Sequence, residues 1–219
     1  MKMKISGLSK SIKGNKVLDN ISMELQSGHI YGLQGKNGSG KTMLLRVICG
    51  LVYPENGEIN IDGKILGKDI SFPQSVGVLI ENPSFLSNYT AFENLKLLAA
   101  IKGKIKDDEI KKAIMDVGLD PQDSKKYKKF SLGMKQRLGI ACAIMEHPDL
   151  IILDEPFNAL DQSGIELIRN LIVKLKHEGA LVILACHDRD ELENLSDEIF
   201  VMAEGRMVEK WKKQKLHLQ

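Results

Sequence analysis

The sequence predicts an α/β fold with a mainly parallel central sheet, a strand-and-turn N-terminal third and a helical lobe inserted over residues 84–146. Three observations predict it. Short continuous apolar runs at residues 30–33, 150–153 and 181–185 have the length and character of strands covered on both faces. Each run ends in a polar group or a glycine-rich turn, and open α/β sheets gather ligands at the carboxyl ends of their strands. Residues 84–146 hold mainly helical patterns, with Pro83 and Pro148 near the edges.

Taken in order, residues 5–8, 17–25 and 58–65 alternate loosely between apolar and polar, with Gly and Asn between them, as strands do. Asp62-Gly63 is a hairpin signal. Residues 42–49 read as a helix, because Gly50 suits the position after its end and Pro54 follows. Thr90 and Glu93 have capping-box spacing ahead of Leu95, Leu97 and Leu98. Ser163 and Glu166 repeat that spacing beside Ile165, Ile168, Ile172 and Leu175, one apolar stripe of an amphipathic helix.

Composition narrows the class. With 43% hydrophobic and 27% charged residues, the chain can bury a core and is not of the disordered type. A formal net charge of +2 lacks the basic excess of a dedicated nucleic-acid binder, so no nucleic-acid partner is expected. Basic residues cluster at Lys125, Lys126, Lys128 and Lys129, and again at Lys210, Lys212, Lys213 and Lys215. These read first as a solvated loop and tail. The sharper reading is contact with anionic headgroups, where about 1 kcal/mol per basic residue is available. Cys49, Cys142 and Cys186 sit in apolar contexts without a CxxC pair, which suggests buried, reduced thiols. No apolar run approaches the roughly 18 residues of a membrane span, and Met1-Lys2-Met3-Lys4 leads into a strand pattern rather than a signal-peptide core. A membrane role is therefore expected to need a partner chain.

The chemistry concentrates in two motifs. Gly35-Lys36-Asn37-Gly38-Ser39-Gly40-Lys41-Thr42 matches the phosphate-loop pattern GxxxxGK[ST], between an apolar strand and a helix. Its glycines let backbone N–H groups approach phosphate oxygens, and the following helix adds its N-terminal dipole. Lys41 is expected to reach the β and γ phosphates of a nucleotide, and Thr42 to ligate Mg²⁺. Residues 150–155 form an apolar strand ending in Asp154 and Glu155, the Walker B pattern. Asp154 is the expected Mg²⁺ holder and Glu155 the group that polarises an attacking water. Alone this second motif is weak, since many buried strands end in an acid. After a phosphate loop it is specific.

Phe130-Ser131-Leu132-Gly133-Met134, followed by Lys135-Gln136-Arg137-Leu138, resembles the LSGGQ signature of ABC transporter ATP-binding subunits. The landmarks of that family occur in order along essentially the whole chain. The resemblance implies a P-loop NTPase fold with a mainly parallel central sheet, an N-terminal antiparallel β subdomain and an inserted α-helical subdomain carrying the signature. As a single domain over 1–219, it divides into a core with the β subdomain (1–83 and 147–219) and the helical part (84–146). It further implies ATP binding and hydrolysis with Mg²⁺, a dimer with a second ATPase subunit, and a separate transmembrane permease at the cytoplasmic face of the cell membrane. In the family, the signature of one subunit closes over the ATP held by the other. Ser131 is also placed to cap a helix, so its hydroxyl and the Gly133 N–H can meet a γ-phosphate. Asn158-Ala159-Leu160-Asp161 resembles the family's D-loop, with Asp161 near the opposite subunit, and His187 resembles its switch histidine.

Three departures stand out. Glu81 occupies the place of the family's usual glutamine, where a carboxylate could bind Mg²⁺ as an ion or repel a γ-phosphate when the metal is absent. This Glu, with Pro83 and Asn94 following, resembles the bacitracin-export and lantibiotic-immunity group, which implies export of a peptide antibiotic or other amphipathic compound. Leu132 and Met134 replace Gly and Gln of the consensus, while Ser131 and Gly133 are kept. Ile12 holds the place of an adenine-stacking aromatic, a weaker contact, and Tyr31 reads as core. Phe85, Tyr89 and Phe92 are candidate permease anchors, with packing inside the lobe an equal alternative. The rival class is a soluble ABC ATPase acting on ribosomes or DNA. It usually carries two cassettes or long coiled coils, and the chain has neither. A non-hydrolytic scaffold is disfavoured by intact Lys41, Asp154, Glu155 and His187.

Overall fold

The computed structural model describes residues 1–212. The N-terminal third forms β1 (Lys2–Ile12) and β2 (Asn15–Gln26), then β3 (His29–Gln34) and α1 (Lys41–Ile48). There follow β4 (Asn56–Ile61), β5 (Lys64–Ile65) and β6 (Val76–Leu79). The helical stretch holds α2 (Ala91–Lys102), α3 (Asp107–Asp116), a 3-10 turn (Tyr127–Lys129) and α4 (Leu132–Ile144). The chain returns through β7 (Leu150–Asp154), α5 (Gln162–His177), β8 (Leu181–Cys186), α6 (Arg189–Leu195), β9 (Glu198–Ala203) and β10 (Arg206–Lys212).

Two sheets result. The first, in the order β2-β1-β4-β5, is antiparallel. The second, in the order β10-β9-β3-β8-β7-β6, is parallel except for β10, which runs antiparallel to β9 at the edge. Both match the predicted fold class. The segment 58–65 divides into β4 and β5 at Asp62 and Gly63. Both have positive φ (49° and 88°), as a tight two-residue hairpin requires, and Asn60 Oδ1 accepts from Gly63 N at 2.8 Å.

The central strands are continuous apolar runs because each face meets a different core. Ile151 and Leu153 of β7, with Val182, Leu184 and Cys186 of β8, point into one core. There they meet Ile144 of α4, Ile168, Ile172 and Leu175 of α5, and Leu192 of α6. Leu150, Ile152, Leu181, Ile183 and Ala185 point the other way, onto Leu44, Leu45 and Ile48 of α1 and the apolar face of the antiparallel sheet. The period-two alternation of a strand therefore selects the partner layer rather than core against solvent. Tyr31 is buried in the second core, and its hydroxyl accepts from Gln26 N at 3.0 Å.

The helix starts follow local chemistry. Thr90 caps α2 in a full capping box: Glu93 N donates to Thr90 Oγ1 at 3.2 Å, and Thr90 N to Glu93 Oε2 at 2.6 Å. At α5 the prediction is corrected. Asp161, not Ser163, is the cap, with Oδ1 accepting from Gly164 N at 3.0 Å while Ser163 Oγ donates to Oδ2 at 3.0 Å. An ionised carboxylate is a stronger acceptor than a hydroxyl, so the helix starts at Gln162. α4 lies very close to β6: a Cβ on Gly77 would sit 1.7 Å from the Ala143 carbonyl oxygen. No helix among the described residues is long and apolar enough to cross a membrane.

Candidate functional site

The loop from Gly35 to Gly40 joins the carboxyl end of β3 to α1. It is clamped by backbone on two sides. A Cβ on Gly35 would lie 2.5 Å from the Met202 carbonyl oxygen, and one on Gly40 (φ 103°) would lie 2.7 Å from that of Val17. Only glycine fits the second position on both counts. α1 has no side-chain cap, so its first N–H groups are left facing the cleft. Lys41 is 6% exposed, with its ammonium folded back onto the carbonyls of Gly35 (2.5 Å) and Lys36 (3.2 Å). Ser39 Oγ is buried without a hydrogen-bond partner. An orphaned hydroxyl, a buried ammonium and an uncapped helix N-terminus are the donors an oligophosphate needs. The cleft beside them, about 890 Å³, is lined by residues 34–39, His187 and residues 201–204.

Thr42 and Asp154 meet across the base of this loop, Thr42 Oγ1 donating to Asp154 Oδ2 at 2.7 Å. Burial pushes the Asp154 carboxyl above the usual carboxylate range. The Thr42 hydrogen bond opposes this, nearby Glu155 adds to it, Lys41 opposes and Glu81 adds. The buried Asp154 carboxylate and the Thr42 hydroxyl bonded to it are an all-oxygen pair of the kind that fits Mg²⁺. Glu155 follows β7 in a left-handed conformation (φ 49°), held by two backbone contacts. Its N–H donates to Ala185 O at 2.8 Å, and Gln136 Nε2, from buried α4, donates to its carbonyl at 2.9 Å. Its Oε2 lies 2.8 Å from His187 Nδ1, the hydrogen bond that selects the Nδ1–H tautomer. Glu81 is placed differently from its expected metal role. It is exposed, has φ 61°, and pairs with Arg46 of α1 at 2.5 Å rather than with Thr42 or Asp154.

The signature residues gather elsewhere. Ser131 caps α4, accepting from Met134 N at 3.2 Å. Gly133 abuts the next loop, where a Cβ would lie 2.7 Å from the Ala159 carbonyl oxygen. Arg137 reaches Asp161 at 3.3 Å. Ser131, Gly133, Arg137, Ala159 and Asp161 share a cleft of about 740 Å³, and none of its lining residues lines the phosphate-loop cleft. Ile12 is 41% exposed at the end of β1 and lines neither.

Of the predicted anchors, Phe85 packs edge-on against Tyr127 at 5.4 Å and Phe92 lies under Lys96 and Lys111, whereas Tyr89 is exposed with Leu86, Leu97, Leu98 and Ile101. Lys126 pairs with Glu93, and Lys210 and Lys212 with Glu198, so these basic runs are partly neutralised. Lys213 and Lys215 lie outside the described residues. Sequence reasoning gave no roles to Arg46, Gln136 and Arg137. Their sequence signals are a charge on the second turn of α1 and, for Gln136 and Arg137, a place in the run Lys135-Gln136-Arg137-Leu138 that follows the signature.

A family model described as "ABC transporter" matches residues 18–158. An uncharacterized ABC transporter ATP-binding protein, YybJ, of Bacillus subtilis (strain 168) is 48% identical over 205 residues, covering 94% of each chain. The bacitracin transport ATP-binding protein BcrA of Enterococcus faecalis is 41% identical over 212 residues, covering 96% of this chain and 69% of its own. A solved structure described as the ATP binding subunit of an ABC transporter superposes with a TM-score of 0.86 at 28% identity, covering 97% of this chain and 90% of its own.

Proposed function

Because the chain belongs to the ABC transporter family, we propose that it is the ATP-binding and ATP-hydrolysing subunit of such a transporter, working as a dimer against a separate transmembrane permease. The observation that carries this reading is the pair of disjoint clefts. One holds the donors for a nucleotide's phosphates and the other the signature. Two copies, or this chain and a relative, arranged head to tail would bring each phosphate loop against the other's Ser131 and Gly133.

In this arrangement Gly35, Lys36, Asn37, Gly38, Ser39, Gly40 and Lys41 bind the phosphates. Lys41 leaves the Gly35 and Lys36 carbonyls for the β and γ oxygens. Thr42 and Asp154 would hold Mg²⁺, with Glu81 recruited once it parts from Arg46, and the ion would neutralise charge on the β and γ phosphates. Glu155 orients and deprotonates the attacking water, and His187 keeps the Glu155 carboxylate in position and contacts the γ-phosphate. Asp161 anchors the loop that faces the opposite subunit, and Ile12 lies against the base. Residues 84–146 act as the lobe that reports nucleotide state, through exposed Tyr89, Leu86 and Leu97, to the permease at the cytoplasmic face of the membrane. The similarity to BcrA, a bacitracin transport protein, supports export of a peptide antibiotic or similar amphipathic compound.

The test is phosphate release from Mg-ATP at rising protein concentration, beside recovery of membranes through a tagged Glu155→Gln chain. Turnover per chain should rise with concentration, and a polytopic membrane protein should co-purify with the variant in ATP. Full turnover by a verified monomer would overturn the shared site. Ribosomes or DNA complexes in place of a membrane partner would overturn the transport role.

A further inference from the structure

We propose that Glu155, Cys186 and His187 form a binding site for a borderline divalent cation of the zinc class, and that its occupancy blocks hydrolysis. The carboxylate, the thiol and the imidazole each place one donor atom within 4.8 Å of the others. The sheet produces this juxtaposition. β7 and β8 are parallel neighbours, and the Glu155 N–H donates to Ala185 O, so the residue after β7 lies beside the last residue of β8. His187 Nδ1 is already 2.8 Å from Glu155 Oε2. Cys186 lies beneath them, buried, its sulfur accepting from Asp188 N at 3.4 Å. The His187 side chain is 61% exposed and opens on the phosphate-loop cleft. A cation therefore has a route in from solvent and a fourth position open to water.

Donor chemistry separates this site from the Thr42–Asp154 pair. Mg²⁺ takes oxygen ligands and keeps much of its water. One sulfur, one nitrogen and one oxygen with an open fourth position is the set of a four-coordinate Zn²⁺. Zinc bonds of about 2.0–2.3 Å at tetrahedral angles need donors roughly 3–4 Å apart, so small side-chain rotations close this group. Binding forms a metal–thiolate bond and releases the thiol proton to solvent; His187 ligates through its unprotonated nitrogen, and where that is Nδ1 the ring proton passes to Nε2 by exchange with solvent. The Cys186 thiol has no part in the hydrolytic scheme above, and it turns a Glu–His pair into a three-donor site. The effect on turnover rests on the proposed ATPase reading. A cation on Glu155 and His187 occupies the groups assigned to the attacking water and leaves the phosphate loop free.

The experiment titrates the metal-stripped full chain with Co²⁺ as a spectroscopic probe and then with Zn²⁺ as competitor. The expected result is one saturable thiolate-to-cobalt absorption band, erased by Zn²⁺. It should be absent in Cys186→Ser and retained in Cys49→Ser and Cys142→Ser. His187→Ala alters an exposed side chain and keeps the fold even if Cys186→Ser does not, and it should weaken Co²⁺ binding about tenfold or more. No band, or a band unchanged in Cys186→Ser or in His187→Ala, overturns the site. In parallel, Zn²⁺ should suppress phosphate release while a fluorescent ATP analogue stays bound, and Cys186→Ser should lose that sensitivity. Turnover that is indifferent to Zn²⁺ at concentrations saturating the band overturns the regulatory role. A cobalt band in a chain that never hydrolyses ATP supports the site and sinks the ATPase reading instead.

Discussion

Replacing Asp154 by Asn separates the stability of the site from its use. Asp154 is 6% exposed, and its carboxyl is held above the usual range chiefly by burial, against the 2.7 Å hydrogen bond from Thr42 Oγ1. A raised folded-state pKa means that the folded chain binds more protons than the unfolded chain between the two values. The group's favourable contribution is then complete below the unfolded carboxyl pKa and is lost as pH rises through the folded one. At neutral pH the ionised carboxylate therefore opposes folding. Asn removes the buried charge, keeps an oxygen to accept from Thr42, and changes the volume little. The expected gain is about 1 kcal/mol, the middle of the range for single stabilising substitutions. In a chain of this length that is about 2–4 °C in Tm. Thermal unfolding followed by circular dichroism in a chelator should show the gain at neutral pH and its disappearance in acid. Mg-ATP should reverse the ranking. At a ligand concentration of about 100 Kd the wild type gains about 2.7 kcal/mol, while the variant gains far less. A variant less stable than wild type without ligand, or a gain independent of pH, refutes the electrostatic argument. Equal stabilisation of both by Mg-ATP refutes the role of Asp154 in holding the metal.

Two further predictions probe the scaffold. Gly77→Ala puts a methyl 1.7 Å from the Ala143 carbonyl oxygen, which forces α4 off β6. The expected loss is about 3 kcal/mol or more, read as a fall in the urea midpoint, and an unchanged midpoint would contradict the close approach. Asp161→Ala removes the cap on Gly164 N and the partner of Arg137. It should cost about 1 kcal/mol. Asp161→Asn should recover most of that, and an Asn variant as unstable as the Ala variant would argue against capping.

Much of the fold was legible because the signals are local. The apolar runs of β3, β7 and β8, the Asp62-Gly63 hairpin and the Thr90–Glu93 capping box are set by residues within a few positions of one another. The α5 start is not legible in the same way, because Asp161 and Ser163 both have cap chemistry and the capping-box spacing of Ser163 and Glu166 points to the wrong one. Competition between two acceptors two residues apart is settled by acceptor strength, and the Asp161 carboxylate takes both Gly164 N and the Ser163 hydroxyl.

The chemistry at each strand end is written in the order of residues. A glycine-rich turn before Lys41 and Thr42 suits an anion, and an apolar strand closing on Asp154 and Glu155 places carboxylates at the carboxyl end of the sheet. These properties follow from backbone freedom and side-chain type, which travel with the residues. Which groups meet depends on the packed fold. It joined Thr42 to Asp154 across 112 positions and His187 to Glu155 across 32. It set Gln136 of α4 beneath the Glu155 carbonyl, turned Glu81 toward Arg46, and brought the Cys186 sulfur under the Glu155–His187 pair. It also kept the signature cleft apart from the phosphate-loop cleft. These distances depend on strand order and on how closely α4 can approach β6, and both are set by packing between segments remote in sequence.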